Sequence, residues 1–230
     1  MSSNVFFTKY PVTSALAFPA ENRPKNGWDP MDPKFRHRAV MALFSQDLGP
    51  NPRQDAGVLF RVDALPGQVP FFLVQSLVCP ETIPSGVEVV ERTLPTFSAG
   101  TPVRFRIGIN AIRRRDKREG TGGEGKMQAS PVPFDSDTEA PAILSRMTPW
   151  LRSKLEVGLH SLEISNHQRE LLGVYRDGRK VRTSVSPVQV DTVDGVALVA
   201  DGNALNELIV KGVGRAKAYG CGLLSVQEIV

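Results

Sequence analysis

The chain has 230 residues, of which 41% are hydrophobic and 23% charged, the balance of an ordinary globular protein. That length suits one large domain or two of about 100 residues each. A net charge of +4 permits nucleic-acid binding without establishing it. The two cysteines, Cys79 and Cys221, lack the spacing of a zinc site and do not suggest a disulfide-rich secreted domain. The sequence shows neither a signal peptide nor a membrane-spanning apolar run, so we expect a soluble, cytoplasmic protein.

The first half of the chain predicts a strand, a helix and two further strands. Residues 5–12 are rich in β-branched and aromatic side chains, which is typical of a strand. Apolar residues near helical spacing predict a helix over Lys34–Gln46, with Asp32 as its N-cap and Pro33 as its first residue. Strands are then expected at Val58–Val62 and Phe71–Leu77, followed by a short helix within Pro84–Leu94.

The second half repeats this order. Pro102–Ile112 alternates apolar residues with arginine, glycine and asparagine, which predicts a half-buried strand with a basic outer face. Thr138–Val157 predicts a helix that Pro149 interrupts or restarts. An Asp-Gly pair within Arg176–Lys180 indicates a tight hairpin turn. The remaining expected elements are a helix over Asn203–Val210 capped by Asp201, and strands at Leu159–Ile164, Leu171–Tyr175, Val185–Val190, Val196–Ala200 and Leu223–Ile229.

This order fits two successive split βαβ units. We therefore predict an α+β protein with two tandem ferredoxin-like (RRM-like) βαββαβ domains. The expected domains cover residues 1–95 and 96–230, with a boundary near Leu94–Gly100.

A glycine-rich basic segment, Lys211–Gly222, stands near the end of the chain. Its glycines surround Arg215, Lys217 and Tyr219. Glycines let backbone N–H groups approach an anion, the two cations bind phosphates, and tyrosine can stack on a base. Nucleotide-binding motifs run from strand through glycine loop to helix. The predicted order here is helix, loop, strand, which disfavours a mononucleotide site. A helix C-cap at Gly212 and a tight turn at Gly220–Gly222 are the structural alternative.

Two further stretches concentrate positive charge. Arg104–Arg118 contains seven basic residues against one acidic residue, Asp116. Clustered arginines neutralise phosphates and form bidentate contacts. The hairpin turn carries Arg176, Arg179, Lys180 and Arg182. A basic hairpin can lie in a groove of an RNA helix, although solvated faces and turns are often basic for solubility alone. Together the two patches favour RNA as the partner.

His37 stands between Arg36 and Arg38 on the predicted first helix. Positive neighbours lower the pKa of an imidazole, which keeps the ring partly neutral near pH 7 and suits a general base. A surface histidine on a basic helix is the alternative from local sequence.

The run GVGRAKAYGCGLLSV, Gly212–Val226, closely resembles the C-terminal glycine-rich signature of the CRISPR-associated repeat-RNA endoribonucleases of type I-E systems. Three more stretches agree with that family in the same order. These are the helix segment from His37 to Phe44, the arginine-containing strand Pro102–Ile112, and the step Asp194–Val196 before the last helix.

This resemblance implies a fold and an activity. Family members have two tandem ferredoxin-like domains and cleave a precursor CRISPR RNA at the base of each repeat hairpin. They need neither metal nor other cofactor. The ribose 2′-hydroxyl attacks the adjacent phosphate, leaving a 2′,3′-cyclic phosphate and a 5′-hydroxyl. The product RNA stays bound in the multi-subunit type I-E surveillance complex. These implied partners are RNA and protein subunits, with no membrane.

His37 matches the position of the family's catalytic histidine. Lys34 stands where family members often have a tyrosine, one helical turn earlier, and could stabilise charge on the phosphate. We therefore predict His37 and Lys34 as catalytic residues, with no metal ligands. The predicted RNA-binding residues are Arg36, Arg38, Arg104, Arg106, Arg113, Arg179, Lys180, Arg182, Arg215 and Lys217.

Two other functions stay open from the sequence. The Lys34 departure is compatible with a catalytically inactive subunit that binds the same RNA hairpin. The glycine-rich segment is compatible with a ferredoxin-like enzyme that binds an anionic small molecule.

Overall fold

The computed structural model describes residues 4–17, 27–45, 47–115, 128–141, 144–176, 179–180 and 187–229. The N-terminal half forms a four-stranded antiparallel sheet with the strand order β2-β3-β1-β4. Three helices accompany it. The strands are β1 Asn4–Pro11, β2 Leu59–Asp63, β3 Phe71–Ser76 and β4 Glu88–Thr93, and the helices are α1 Val12–Ala17, α2 Pro33–Met41 and α3 Pro52–Asp55.

The prediction of a helix within Pro84–Leu94 was wrong, because the structure has strand β4 there. Glu88–Thr93 pairs antiparallel with Asn4–Lys9 of β1 and forms one edge of the sheet. Two valines and a threonine make up half of this six-residue stretch, and such β-branched side chains prefer a strand. The N-terminal sheet therefore has the ferredoxin-like strand order, but its second crossover, residues 77–87, is a loop.

The C-terminal half forms a second four-stranded antiparallel sheet with the order β12-β5-β11-β8. Helices α4 and α5 make its two crossovers, so this half has the full βαββαβ arrangement. The predicted fold class is confirmed. The elements are β5 Pro102–Ile109, β6 Ile112–Arg115, β7 Gln128–Pro131, α4 Met147–Leu155, β8 Leu159–Leu172, β9 Tyr175–Arg176, β10 Arg179–Lys180, β11 Val188–Val199, α5 Gly202–Lys211 and β12 Leu224–Glu228.

Two long strands replace the four short strands expected after the helix. β8 has 14 residues and β11 has 12, and irregularities in their register absorb the breaks in the sequence pattern. One irregularity lies beside Ser161, whose φ is 49°. The preceding helix α4 is shorter than expected and begins at Met147, because Pro149 is tolerated in a first turn but not in a helix interior.

Two small sheets extend the C-terminal half. β6 pairs with β7, and β9 pairs with β10 in the hairpin predicted from the Asp-Gly pair. Of the residues named from the sequence, Gln46, Asp116, Arg118, Arg182 and Val185 lie outside the described part of the chain.

Buried polar contacts join the two sheets. Arg61 on β2 is bound to Asp63 at 2.8 Å and donates to Ser225 Oγ on β12 at 2.7 Å. Gln75 on β3 donates to the carbonyl of Ile209 on α5 at 2.9 Å. Val5 of β1 also packs into the C-terminal core. These contacts fix the N-terminal sheet against the C-terminal half. Among the described helices, none is long and apolar enough to cross a bilayer.

Candidate active site

Helix α2 positions His37 at the surface of the N-terminal half. The carboxylate of Asp32 accepts the backbone N–H of Lys34 at 2.8 Å, and Pro33 opens the helix, as predicted. Phe35 and Val40 are buried in the N-terminal core. His37 and Met41, four residues apart, share a different face of the helix and line a cleft. The helix is therefore anchored on one side and presents the imidazole on the other.

The cleft beside His37 has a volume of about 320 Å³. The loop before α3 and α3 itself form one wall of this cleft. Arg53 is the cation of this wall, and its Nη1 donates to the carbonyl oxygen of Val58 at 3.1 Å. The cleft is lined by His37, Met41, Ser45, Pro50, Asn51, Pro52, Arg53 and Gln54.

Burial lowers the pKa of His37 below its ordinary value of 6.5, and the charges of Arg53 and Arg38 lower it further. The ring is half-buried, and its buried Nδ1 has no hydrogen-bond partner among the described residues. A lowered pKa leaves the imidazole largely neutral near pH 7, when one ring nitrogen can accept a proton. The site therefore offers a neutral base beside fixed positive charge.

Lys34 and Arg38 flank His37 on the outer side of α2. Both are exposed, and neither lines the cleft. The guanidinium of Arg38 lies over the ring of Trp28, 5.6 Å from its centroid. Lys34 thus presents its charge to solvent one turn before His37, at the position predicted from the sequence.

Two tyrosines contrast in their access to this site. Tyr10 is fully buried against Phe72, and burial raises the pKa of Tyr10 to about 12. Tyr219 is half-buried and belongs to the short 3-10 turn Lys217–Tyr219, which packs against α2. Tyr10 is therefore a core residue, whereas Tyr219 lies in the turn that adjoins the helix of His37.

The glycine-rich segment follows α5 and precedes β12, in the predicted order. Gly212 ends α5 with a φ of 70°, and its N–H donates to the carbonyl of Leu208 at 2.9 Å. The C-cap alternative is thus confirmed for Gly212. A Cβ at Gly212 would lie 2.6 Å from Leu59 Cδ2, so packing also requires glycine there.

Lys217 brings the glycine-rich segment to the cationic wall of the cleft. Burial lowers the pKa of Lys217, and the charge of Arg53 lowers it further. The Nζ donates to the carbonyl of Lys211 at 2.6 Å. A second cleft of about 280 Å³ is lined by both lysines together with Arg53 and Gln54. The structure therefore brings together Arg53 and Lys217, which are 164 positions apart in the sequence.

Two of the predicted RNA-contacting arginines are paired with carboxylates. Arg36 is only 3% exposed and binds both carboxylate oxygens of Glu170 at 2.7 and 3.0 Å. It joins α2 to β8 instead of facing solvent. Arg106 binds Asp194 at 2.5 Å and lies 3.6 Å from Asp63, so two carboxylates offset its charge. The hydrogen bond to Asp194 raises the pKa of Arg106.

The other predicted RNA-binding residues are spread over the C-terminal half. Arg104 is exposed on β5 and donates to Gln227 Oε1 at 3.0 Å. Arg113 is half-buried on β6, and its buried Nε has no partner among the described residues. Arg215 is exposed in the glycine-rich segment. Arg179 and Lys180 form β10 of the hairpin, and Arg182 lies outside the described residues.

The sequence prediction missed Arg53. Its local sequence, Asn51-Pro52-Arg53, indicates only a turn and a helix start. Nothing in the spacing connects it with His37, since their proximity depends on how the loop after α2 folds back. Within the described residues no group of three His, Cys, Asp or Glu side chains is arranged to hold a metal ion.

The two joined sheets place this protein in the class of α+β proteins with tandem ferredoxin-like domains. Its candidate site is the cleft that His37 and Arg53 line. Its sequence matches the family described as CRISPR associated protein over residues 14–228, and the chain therefore belongs to that family. The resemblance noted in the sequence is confirmed.

Three similar proteins illustrate the relationship. The Cascade subunit CasE of Escherichia coli K12 is 27% identical over 134 residues, which cover 58% of this chain and 61% of that protein, less than two thirds of its length. The crystal structure of Cas6e from E. coli K-12 has a TM-score of 0.62 at 19% identity, over 98% of this chain and 100% of the other. Thermus thermophilus Cse3, solved with an RNA representing a pre-cleavage complex, has a TM-score of 0.62 at 22% identity, over 98% and 99%. The two solved structures share the fold of this chain.

Proposed function

We propose that this protein is a metal-independent endoribonuclease that binds the stem-loop repeats of precursor CRISPR RNA and cuts at the base of each hairpin. The observation that carries the proposal is the position of His37. Its pKa is lowered, and it lines a cleft that Arg53 also lines. A base and a fixed cation in one cleft suit the attack of a hydroxyl on a phosphate.

In the proposed reaction His37 takes the proton of the ribose 2′-hydroxyl. The 2′-oxygen then forms a bond to the adjacent phosphorus, and the bond from phosphorus to the 5′-oxygen breaks. A proton passes to that leaving oxygen, so the products are a 2′,3′-cyclic phosphate and a 5′-hydroxyl. Lys34, exposed one turn before His37, stabilises the negative charge that develops on the phosphate.

The RNA-binding surface combines the flank of α2, the outer face of β5, the β9-β10 hairpin and the glycine-rich segment. Exposed cations contact phosphates, and their number sets the salt dependence of binding. The hairpin suits a groove of the RNA stem. The proposed contact residues are Arg38, Arg104, Arg113, Arg179, Lys180, Arg182, Arg215 and Lys217.

The proposed product remains bound after cleavage. The E. coli relative is a subunit of Cascade. By extension, we propose that this protein keeps its mature guide RNA within a type I-E surveillance complex in the cytoplasm.

The test is cleavage of a repeat hairpin RNA in the presence of EDTA. We expect one cut at the hairpin base, with a 2′,3′-cyclic phosphate on the upstream product. The same RNA with a 2′-deoxyribose at the cut site should bind with equal affinity and remain whole. Gel analysis with and without cyclic-phosphate hydrolysis identifies the end group.

Four outcomes would contradict the proposal. A product with a free 3′-hydroxyl would exclude 2′-hydroxyl attack, and a cut that requires added divalent cations would exclude the metal-independent mechanism. Tight binding without any cut would favour the inactive hairpin-binding subunit. If the RNA with a 2′-deoxyribose at the cut site is cut as fast as the all-ribose RNA, water and not the 2′-hydroxyl is the nucleophile.

A further inference from the structure

The cleft that contains His37 and the cleft lined by Lys211 and Lys217 share Arg53 and Gln54. Arg53 is the cation common to both. An RNA strand that runs from one cleft into the other therefore passes the guanidinium of Arg53. Arg53 Nη1 donates a hydrogen bond to the carbonyl of Val58 at 3.1 Å, which holds the guanidinium where the two clefts meet.

Arg53 differs from the arginines of the chain that are paired with carboxylates. Arg36, Arg61 and Arg169 each have a carboxylate partner at 2.7 or 2.8 Å. Among the described residues, Arg53 donates only to a neutral carbonyl. Its charge is thus partly shielded from solvent without a compensating anion, which an anionic ligand in the cleft would supply. Burial lowers the pKa of Arg53, consistent with this shielding.

We propose that Arg53 is a further catalytic residue, whose remaining guanidinium nitrogens contact a nonbridging oxygen of the phosphate that is cut. This inference rests on the proposed function. A guanidinium can donate two parallel hydrogen bonds to a phosphate and stabilises the added charge of the pentavalent state. Arg53 lines the cleft and can act from there. Lys34, in contrast, is exposed and does not line the cleft.

Arg53 also has a second effect through His37. Its charge lowers the pKa of His37, so removal of that charge raises the pKa of the imidazole. The limb of the pH–rate profile that His37 controls then moves to higher pH. This shift reports the charge of Arg53 beside His37, whereas the phosphorothioate effect reports contact with the phosphate.

The experiment measures single-turnover cleavage by the full chain with saturating hairpin RNA. Wild type, Arg53→Ala, Arg53→Lys and Arg92→Ala are compared, with each phosphorothioate isomer placed at the cut site. Arg92 is an exposed arginine on β4 that lines neither cleft, so Arg92→Ala controls for loss of one positive charge. Thermal unfolding of each variant checks the fold.

We expect Arg53→Ala to lower the cleavage rate by about 10²- to 10³-fold, the usual effect of losing one donor to a developing oxyanion. Arg53→Lys, which keeps the charge and loses the fork, should fall between Arg53→Ala and wild type. One phosphorothioate isomer should slow wild type, and this slowing should disappear in Arg53→Ala. The His37-controlled limb should move to higher pH.

Each alternative result has a distinct meaning. A normal rate in Arg53→Ala, or a slow rate with the phosphorothioate effect unchanged, overturns the role of Arg53 while the proposed function stands. Failure of wild type itself to cut overturns the proposed function and this inference with it. If Arg53→Ala does not fold, Arg53→Lys carries the same test through its rate and its phosphorothioate effect.

Discussion

His37 and His167 are two of the three histidines of the chain, and opposite surroundings hold them. His37 has positive neighbours, an unpartnered buried Nδ1 among the described residues, and a cleft beside its ring. His167 has a side chain only 8% exposed, with its Nε2 2.8 Å from Asp191. Its ring packs on Phe134 at a centroid distance of 4.2 Å.

Asp191 makes the difference between the two histidines. It is fully buried, and one of its oxygens also accepts from Arg169 Nε at 2.7 Å. The other oxygen accepts from Gln189 Nε2 at 2.6 Å. A histidine whose ring nitrogen is bound to such a carboxylate is fixed within the fold. A histidine with an unused nitrogen beside a cleft remains available for proton transfer, so surroundings separate the two roles.

Truncation of each histidine in turn should give the largest difference between the two residues. We expect His37→Ala to lower the cleavage rate by about 10²- to 10⁴-fold, because it removes the general base. Affinity for the hairpin RNA should stay close to that of wild type. His167→Ala should instead lower the free energy of unfolding by about 2 kcal/mol, because it removes a hydrogen bond to a charged group. Single-turnover kinetics and urea unfolding measure the two effects.

The comparison fails if the two variants exchange these effects. Cleavage by His37→Ala at the wild-type rate would place the base elsewhere. A large loss of cleavage in folded His167→Ala would assign chemistry to the buried network around Asp191.

A second test concerns Asp191 itself. Asp191→Asn should lower the free energy of unfolding by about 3 to 5 kcal/mol, because it leaves the charge of Arg169 without its buried partner. The matched control is Glu207→Gln, which breaks the exposed pair of Glu207 and Lys211 at 2.9 Å. That pair is worth about 0.5 kcal/mol or less. Chemical unfolding of both variants compares the losses, and equal small losses would show that the network around Asp191 is not a structural anchor.

The fold class could be predicted because apolar alternation and turn residues mark most of the strands. Val103, Phe105 and Ile107 alternate with the outer residues of β5 and are buried, as expected. The helix expected near Pro84 was wrong because a short polar edge strand has little alternation to detect. The lengths of β8 and β11 were also missed, since local irregularities break their pattern without ending the pairing.

The candidate site was predicted only in part. His37 could be found from its flanking arginines and from the family resemblance. The ion pair of Arg36 with Glu170 could not, because the two residues are 134 positions apart and meet only through the contact of the two halves. The same holds for Arg53 and Lys217, whose charges meet through tertiary structure. Basic residues in a sequence thus show available charge, while burial and acidic partners decide which charges face a ligand.

The smallest expected effect is the contribution of His37 to the pH dependence of stability. The pKa of His37 is lowered in the folded protein, so the unfolded chain takes up a proton near pH 6.5 and the native state does so only at lower pH. The free energy of unfolding of wild type should therefore fall as the pH drops through this window. His37→Ala lacks this group, and its free energy of unfolding should fall less over the same range.

Urea unfolding of wild type and His37→Ala between about pH 7 and pH 5 measures the difference. A titration of the His37 ring protons by NMR should give a midpoint below 6.5. A midpoint at or above that value, with parallel stability curves, would mean that the positive neighbours of His37 are screened by solvent. The electrostatic difference between its site and the carboxylate-bound site of His167 would then be lost, although the geometric difference between an open cleft and a closed network would stay.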